Sequence, residues 1–243
     1  MKWLCCLLLF LPLFLSANES FFVTFEPPKG WLIADPSQYQ DGMQIGFIES
    51  KKKIFSPSIT LSLEKVGKVD LKTYIRAVQK NYEADRMNQF QELGNLHTQC
   101  GTGTLIQVDM KNRYGEVRLL QAITIHNGYA IIHSAAVLKD HFLSIHESIL
   151  KSFKSLTTYP TVAASCNHPD FQEKIDAVIK CWKKYRKTSK SDNETLFKSS
   201  FFQNNQWKPF VSYIENELNS QGSCWQLLAI KHIKETLLTE NDS

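Results

Sequence analysis

The stretch "LLQAITIHNGYAIIHSAA", residues 119–136, constrains the fold more than any other part of the chain. Two apolar runs flank Asn127-Gly128, and Asn-Gly is the pair that accepts positive φ at both centres of a two-residue hairpin turn. The spacing predicts an antiparallel hairpin with His126 opposite Tyr129 and His133 opposite Ala122. Alternation of apolar and polar residues is only partial, so both faces of this ribbon are expected to be covered.

The rest of the first 156 residues supplies the cover. "FFVTF" (21–25), "GWLIAD" (30–35), "MQIGFIES" (43–50) and "SPSITLSLEKV" (56–66) read as strands, with "KKK" (51–53) a solvated turn. The period then changes to helical at Leu71, Tyr74, Ile75, Val78 and Tyr82, with Asp70 as N-cap. "QFQELGNLHTQC" (89–100) and "GTLIQVDM" (103–110) return to strand. Phe142, Ile145, Ile149, Phe153 and Leu156 mark a second amphipathic helix. Adjacent strands joined by hairpins make an α+β layer, a mainly antiparallel sheet with helices packed on it.

"SLTTYPTVAASCNHPD" (155–170) breaks this pattern, and everything beyond it is helical. Three stripes follow: Phe171, Ile175, Val178, Trp182 and Tyr185; Trp207, Phe210, Val211, Ile214 and Leu218; and Leu227, Ile230, Ile233 and Leu237. The expected organisation is a signal peptide over 1–17, an α/β domain over 18–158, a linker over 159–168 and a small helical bundle over 169–243.

The signal peptide rests on "MKWLCCLLLFLPLFLSA": a basic residue, an apolar run from Trp3 to Leu15, and small residues at Ser16-Ala17. That run is short for a membrane span, and no second run reaches the length of one. Cys5 and Cys6 precede most of the apolar run, which argues against lipidation. The expectation is export to the periplasm or beyond. Net charge is +4 and falls by one with Lys2, too mild a balance to argue for nucleic acid or an anionic membrane. Four cysteines then remain, Cys100, Cys166, Cys181 and Cys224. In an exported chain they are disulfide candidates with three possible pairings. Cys181 and Cys224 both fall on apolar helical faces. A bridge between them would close a loop of roughly forty residues, worth on the order of 4 kcal/mol by chain entropy, and a small bundle benefits from such a staple.

Four histidines in 126–146 raise the question of a metal or catalytic site. His126 and His133 share a face but stand four pair positions apart, about 13 Å at 3.3 Å per residue. A shared zinc needs both nitrogens about 2 Å from the ion. His141 and His146 are five apart on a helix, a poor ligand spacing. All four read as structural. "CNHPD" (166–170) offers Cys166, His168 and a carboxylate as ligands, but Pro169 and Asp170 suit a helix start. "KCWKKYRKTSK" (180–190) interleaves Trp182 and Tyr185 with six basic residues. That mixture suits single-stranded nucleic acid, yet both aromatics lie on the apolar stripe and the bases suit a helix C-terminus. "CGTGTL" (100–105) lacks the third glycine and following helix of a dinucleotide loop, and a bulge or bend is expected there. No catalytic motif selects a nucleophile, and no cofactor, metal or catalytic residue is assigned.

The ordered series "PPKGWLIADP … SPSITLSLEKV … LKTYIRAVQKNYE … GTGTLIQVDM … GEVRLLQAITIHNGYAIIHSAA … FLSIHESILKSF" resembles the PsbP-like family over residues 21–156. Its marks are Gly30-Trp31 after prolines, Ser56-Pro57 opening a strand, Tyr129 after the hairpin turn, and a final helix ending in Lys151-Ser152-Phe153. The resemblance implies an antiparallel sheet sandwiched by helices and non-enzymatic work. In plastid members that work is photosystem assembly, in a related eukaryotic protein Ran GTPase binding, and in bacteria an unclear exported role. It brings no catalytic residues, and residues 167–243 lie outside it. The function expected is an exported binding or assembly protein with protein partners. The rivals are a metal- or thiol-dependent hydrolase using His133, His168 or Cys166, and a helical chaperone or host-interaction factor acting through the C-terminal half.

Overall fold

In the computed structural model, which describes residues 21–50 and 55–239, the hairpin at Asn127-Gly128 sits inside a seven-stranded antiparallel sheet. Residues 1–17, the turn at 51–53 and the end of the tail lie outside the described residues. Asn127 and Gly128 have φ of 47° and 75°, as the two-residue turn requires. His126 pairs with Tyr129 and Ala122 with His133, the register that the turn dictates.

The sheet comprises β2 (Leu32–Ile33), β3 (Met43–Ile48), β4 (Ser58–Lys65), β5 (Gln89–Thr98), β6 (Gly101–Asn112), β7 (Gly115–His126) and β8 (Tyr129–Leu138), in the order β2-β3-β4-β8-β7-β6-β5. Two meanders are joined by the long β4–β8 ladder, from Ser58–Ala136 to Lys65–Tyr129. Between them α1 (Leu71–Glu83) crosses one face. Its N-cap is Asp70, whose carboxylate accepts from the Thr73 amide at 2.9 Å. This satisfies a helix donor left orphaned, and the contact holds the Asp70 carboxyl below the usual range.

The two faces of the sheet separate along the sequence by strict alternation. On β8, Ala130 and Ile132 join Ile106 and Ile123 beneath Tyr74 and Ile75 of α1. Ile131 and Ala135 face the other way, with Ile59, Leu61, Leu120 and Ala122. That second face receives α2 (Phe142–Lys154) through the fully buried Ile149 and Phe153. The sheet is therefore sandwiched by helices, in the α+β arrangement expected from the sequence.

"FFVTF" does not join this sheet. β1 (Phe22–Thr24) pairs antiparallel with β9 (Thr157–Tyr159), more than 130 positions later, as a separate two-stranded ribbon. The Ser152 hydroxyl fastens the next turn by donating to the Glu26 carbonyl at 2.6 Å. Nothing local in either segment announces the pairing.

The C-terminal helices are α3 (Phe171–Lys187), α4 (Asn193–Phe197), α5 (Ser200–Phe202), α6 (Lys208–Glu217) and α7 (Ser223–Thr239), with a π-helical turn over Gln203–Trp207. They do not form a core of their own. Phe171, Trp182, Phe202, Trp225 and Ile233 belong to one continuous apolar cluster with Phe22, Phe47, Leu61 and Phe153 of the sheet layer. The segment after residue 158 is ordered against the helices: Val162 is buried, and Trp225 Nε1 donates to the Ser165 hydroxyl at 2.7 Å. Each fully buried Phe or Leu at this seam contributes about 1.5–3 kcal/mol, which accounts for the close seating of helices on sheet.

"CGTGTL" forms no bulge. Gln99 and Cys100 turn the β5–β6 hairpin, Thr98 faces Gly101, and the register shift falls in β5 between Glu92 and Gly94. Gly103 is glycine for another reason. A Cβ there would lie 2.6 Å from the Ile123 carbonyl and 2.4 Å from Thr124 Oγ1. Gly103→Ala forces these strands apart and is expected to lower stability by about 1–3 kcal/mol, read as a drop in the urea midpoint with unchanged slope.

His133 is fully buried between the rings of Phe25 and Phe153, at centroid distances of 4.2 and 4.7 Å. Among the described residues neither ring nitrogen has a hydrogen-bond partner, and burial alone pushes its pKa down to about 3. The unfolded histidine takes a proton near pH 6.5, so between pH 6.5 and about 3 unfolding binds a proton that the native state refuses. Stability from this group is complete above pH 6.5 and falls with pH, at up to about 1.4 kcal/mol per unit. His133→Leu is expected to flatten the acid limb of stability against pH, measured by urea unfolding at pH 7 and pH 4.5. An unchanged difference between the two pH values would contradict a buried neutral histidine.

Candidate functional site

The seam between sheet and helices opens into a cleft of about 260 Å³. Phe22 opens β1 and Phe21 precedes it, Leu63 comes from β4, Tyr129 from β8, and Leu228, His232 and Glu235 from α7. Gln44 closes one end. It is the extra residue of a β-bulge, because β3 steps from Met43–Ser62 to Ile45–Leu61 in its pairing with β4. A bulge releases backbone groups from the ladder, and α7 uses them. Lys231 Nζ donates to the Met43 carbonyl at 2.9 Å and approaches that of Gln44 at 3.4 Å. A second cavity of about 190 Å³ lies on the other side of α7, between the Pro160–Ala163 segment and α3. His232 lines both cavities.

The electrostatics of the cleft are mild. The His232 ring packs edge-on to Phe22 at 5.8 Å, and burial lowers its pKa, so it is neutral at pH 7. Lys231 is also pulled below the usual lysine range by burial, with Glu235 opposing that shift from 3.8 Å away. Apolar walls with a few polar groups at the rim are what a binding cleft requires. Gln44 and Tyr129 supply polar groups there, and His232 one imidazole.

The sequence-selected residues go elsewhere. His133 is enclosed by Phe25 and Phe153. His126 packs against Phe21. His141 faces Glu49 at 3.3 Å, and His146 Nδ1 lies 2.9 Å from the Leu143 carbonyl. His168 Nδ1 sits 3.0 Å from the Tyr213 hydroxyl, while Cys166 is buried nearby. The three members of the hydrolase alternative are thus divided, His133 against α2 and His168 with α6. Among the described residues no group of three or more His, Cys, Asp or Glu side chains is placed to hold a metal ion. Trp182 is fully buried against Phe197 and Phe202, as its place on the apolar stripe implied, and is not a stacking platform.

Cys100, Cys166, Cys181 and Cys224 are all free thiols in the structure. The Cys181–Cys224 staple does not fit the helix packing. Phe171, at the start of α3, meets Trp225, at the start of α7, with ring centroids 5.5 Å apart. Further along, Ile175 and Ile179 share a cavity with His232 and Thr236, so the two helices run in the same direction. Cys181 therefore lies about 15 Å beyond the level of Phe171 at 1.5 Å per residue, whereas Cys224 sits beside Trp225. A disulfide needs Cα atoms within about 7 Å. Cys224 is buried and Cys181 only part-buried, and helical spacing says nothing of a residue's height along the axis.

Cys224 is buried against the Thr24–Phe25 end of β1, and burial pushes its thiol up to about 12. In the folded protein it is expected to resist iodoacetamide at pH 7 and to label only on denaturation. Non-reducing peptide mapping is expected to give no 181–224 linked peptide. Recovery of that linkage from the native protein would contradict the packing of α3 on α7.

His232 and Gln44 were not legible as site residues beforehand. His232 sits within the third apolar stripe, between Ile230 and Ile233, and Gln44 is one polar residue in a strand. Only the bulge and the approach of α7 bring them together.

No protein-family model and no curated protein matches this sequence. Solved structures similar to it include LpqN of Mycobacterium tuberculosis, described as involved in cell envelope biogenesis, at 14% identity and TM-score 0.45 over 58% of this chain and 85% of LpqN. Cyanobacterial PsbP (CyanoP) from Synechocystis is 12% identical, with TM-score 0.40 over 57% of this chain and 93% of its own. The Ran-binding protein Mog1p of Saccharomyces cerevisiae is 18% identical, with TM-score 0.40 over 55% of this chain and 88% of its own. A PsbP and a Ran-binding protein, the two kinds of relative implied by the sequence resemblance, are thus among its structural neighbours. Among the described residues no helix is long and apolar enough to cross a membrane.

Proposed function

We propose that this chain is an exported, non-enzymatic binding or assembly protein that takes an apolar side chain of a protein partner into the cleft between the sheet and α7. The observation that carries this reading is the cleft itself. Phe21, Phe22, Leu63 and Leu228 wall it, and Gln44, Tyr129 and the neutral His232 rim it. Its lining comes from five separate elements, β1, β3, β4, β8 and α7, and Lys231 pins α7 to the bulge at its mouth. A site pre-formed in this way binds without first ordering its own parts. Export is supported by the basic residue, apolar run and small residues of 1–17.

The test places a photo-reactive amino acid at Gln44 in the natively produced protein, and at Arg76 on the exposed side of α1 as a control. A discrete protein adduct is expected from position 44 and not from position 76. It should be lost when Leu228→Phe fills the cleft. No adduct at position 44, or the same adduct from both positions, would overturn the reading.

A further inference from the structure

The helical layer carries a second concavity that the cleft does not use. It is open, about 470 Å³ in volume, and three lysines line it from three different elements. Lys198 follows α4, Lys208 opens α6, and Lys234 lies on α7. Among the described residues no carboxylate lines it, although Glu194 meets Lys198 from the flank at 3.1 Å. Lys208 Nζ is held by the neutral Asn204 Oδ1 at 3.0 Å, and Lys234 Nζ by the face of Phe197, 5.4 Å from the ring centre. Among the described residues, Lys208 and Lys234 thus stand at one cavity without a carboxylate partner, and Lys198 shares one.

The polar groups beside them are donors in waiting. Asn204 spends its oxygen on Lys208, which leaves its amide N–H groups, and the exposed Ser200 adds a hydroxyl. The backbone here is the π-helical turn Gln203–Trp207. Such turns are rare and frequently accompany functional sites. Gln203 Nε2 donates to the Phe197 carbonyl at 2.7 Å and ties this turn to the aromatic floor.

We propose that this pocket binds a phosphate monoester. Three lysines lining one concavity focus a positive field and favour a dianion over a single carboxylate. A phosphomonoester carries about −1.5 to −2 at pH 7 and three acceptor oxygens, and lysine serves phosphate as a point charge. One closed group of three charges suits a single phosphate better than the extended stripe that a nucleic-acid backbone needs. The same headgroup chemistry is met in a soluble phosphate ester and in the anionic lipid phosphatidic acid.

Protein comprising residues 18–243 is titrated calorimetrically with glycerol 1-phosphate and, separately, sedimented with phosphatidylcholine vesicles with and without phosphatidic acid. Binding in at least one arm is expected, and it should weaken by about tenfold or more in the Lys208→Gln/Lys234→Gln variant at unchanged melting temperature. Lys29→Gln, on an exposed loop of the sheet layer, should leave it unchanged. Binding of the soluble ester alone supports a free phosphate ligand, and binding of phosphatidic acid vesicles alone supports a lipid headgroup. Failure of both probes, or equal binding by the double variant and the wild type, would overturn the proposal.

Discussion

The structure depends on one apolar face of the sheet being covered twice. Ile59, Leu61, Leu120, Ala122, Ile131 and Ala135 present a continuous surface, and α2 alone does not close it. The remainder is closed by β1 and by helices from the end of the chain, with Phe22 standing between the rings of Trp225 and His232 at 6.2 and 5.8 Å. Hydrophobic burial is non-directional, so it explains why the helices are held but not how they are aligned. Alignment comes from few polar contacts: Lys231 on the bulge carbonyls, Trp225 on Ser165, and Gln226 Nε2 on the Ile214 carbonyl at 2.7 Å. The cleft exists because α7 is set by these contacts a short distance from β1 and β4.

Local rules carried much of this fold. The Asn-Gly turn set the register of β7 and β8, Asp70 capped α1, and the residues spaced for helical burial on α1 and α2 are those that meet the sheet. These features depend on interactions within a few residues, which a sequence displays directly. Features that depend on distant partners were hidden. The β1–β9 ribbon joins segments with no mutual signal. The apolar stripes of the C-terminal helices predicted a bundle with its own core, because periodicity reveals an apolar face but not what covers it. The relative heights of Cys181 and Cys224 on their helices were hidden for the same reason, since spacing shows a face and not a level along the axis. Gly103 was read as a bend when its role is to let β6 approach β7.

The site was the least legible part. His133, the histidine most conspicuous in the sequence, is a packing residue that costs acid stability. His232, set inside an apolar stripe, lines both cavities at the seam. Histidine count therefore misdirects here, whereas topology is informative: the cleft lies where elements from the two ends of the chain meet. The polar groups at its rim are spread over β3, β8 and α7.

The central claim is that sheet and helical segment form one cooperative unit, without which the cleft has no fixed wall. Three of the five tryptophans, Trp182, Trp207 and Trp225, lie in the helical segment. Their fluorescence can therefore be followed through urea unfolding beside hydrogen exchange of the β7 and β8 amides. The account expects a single transition with coincident midpoints for the two probes. Loss of tryptophan signal at a lower urea concentration, with β7 and β8 still protected, would show that the helices fold apart from the sheet and would contradict it.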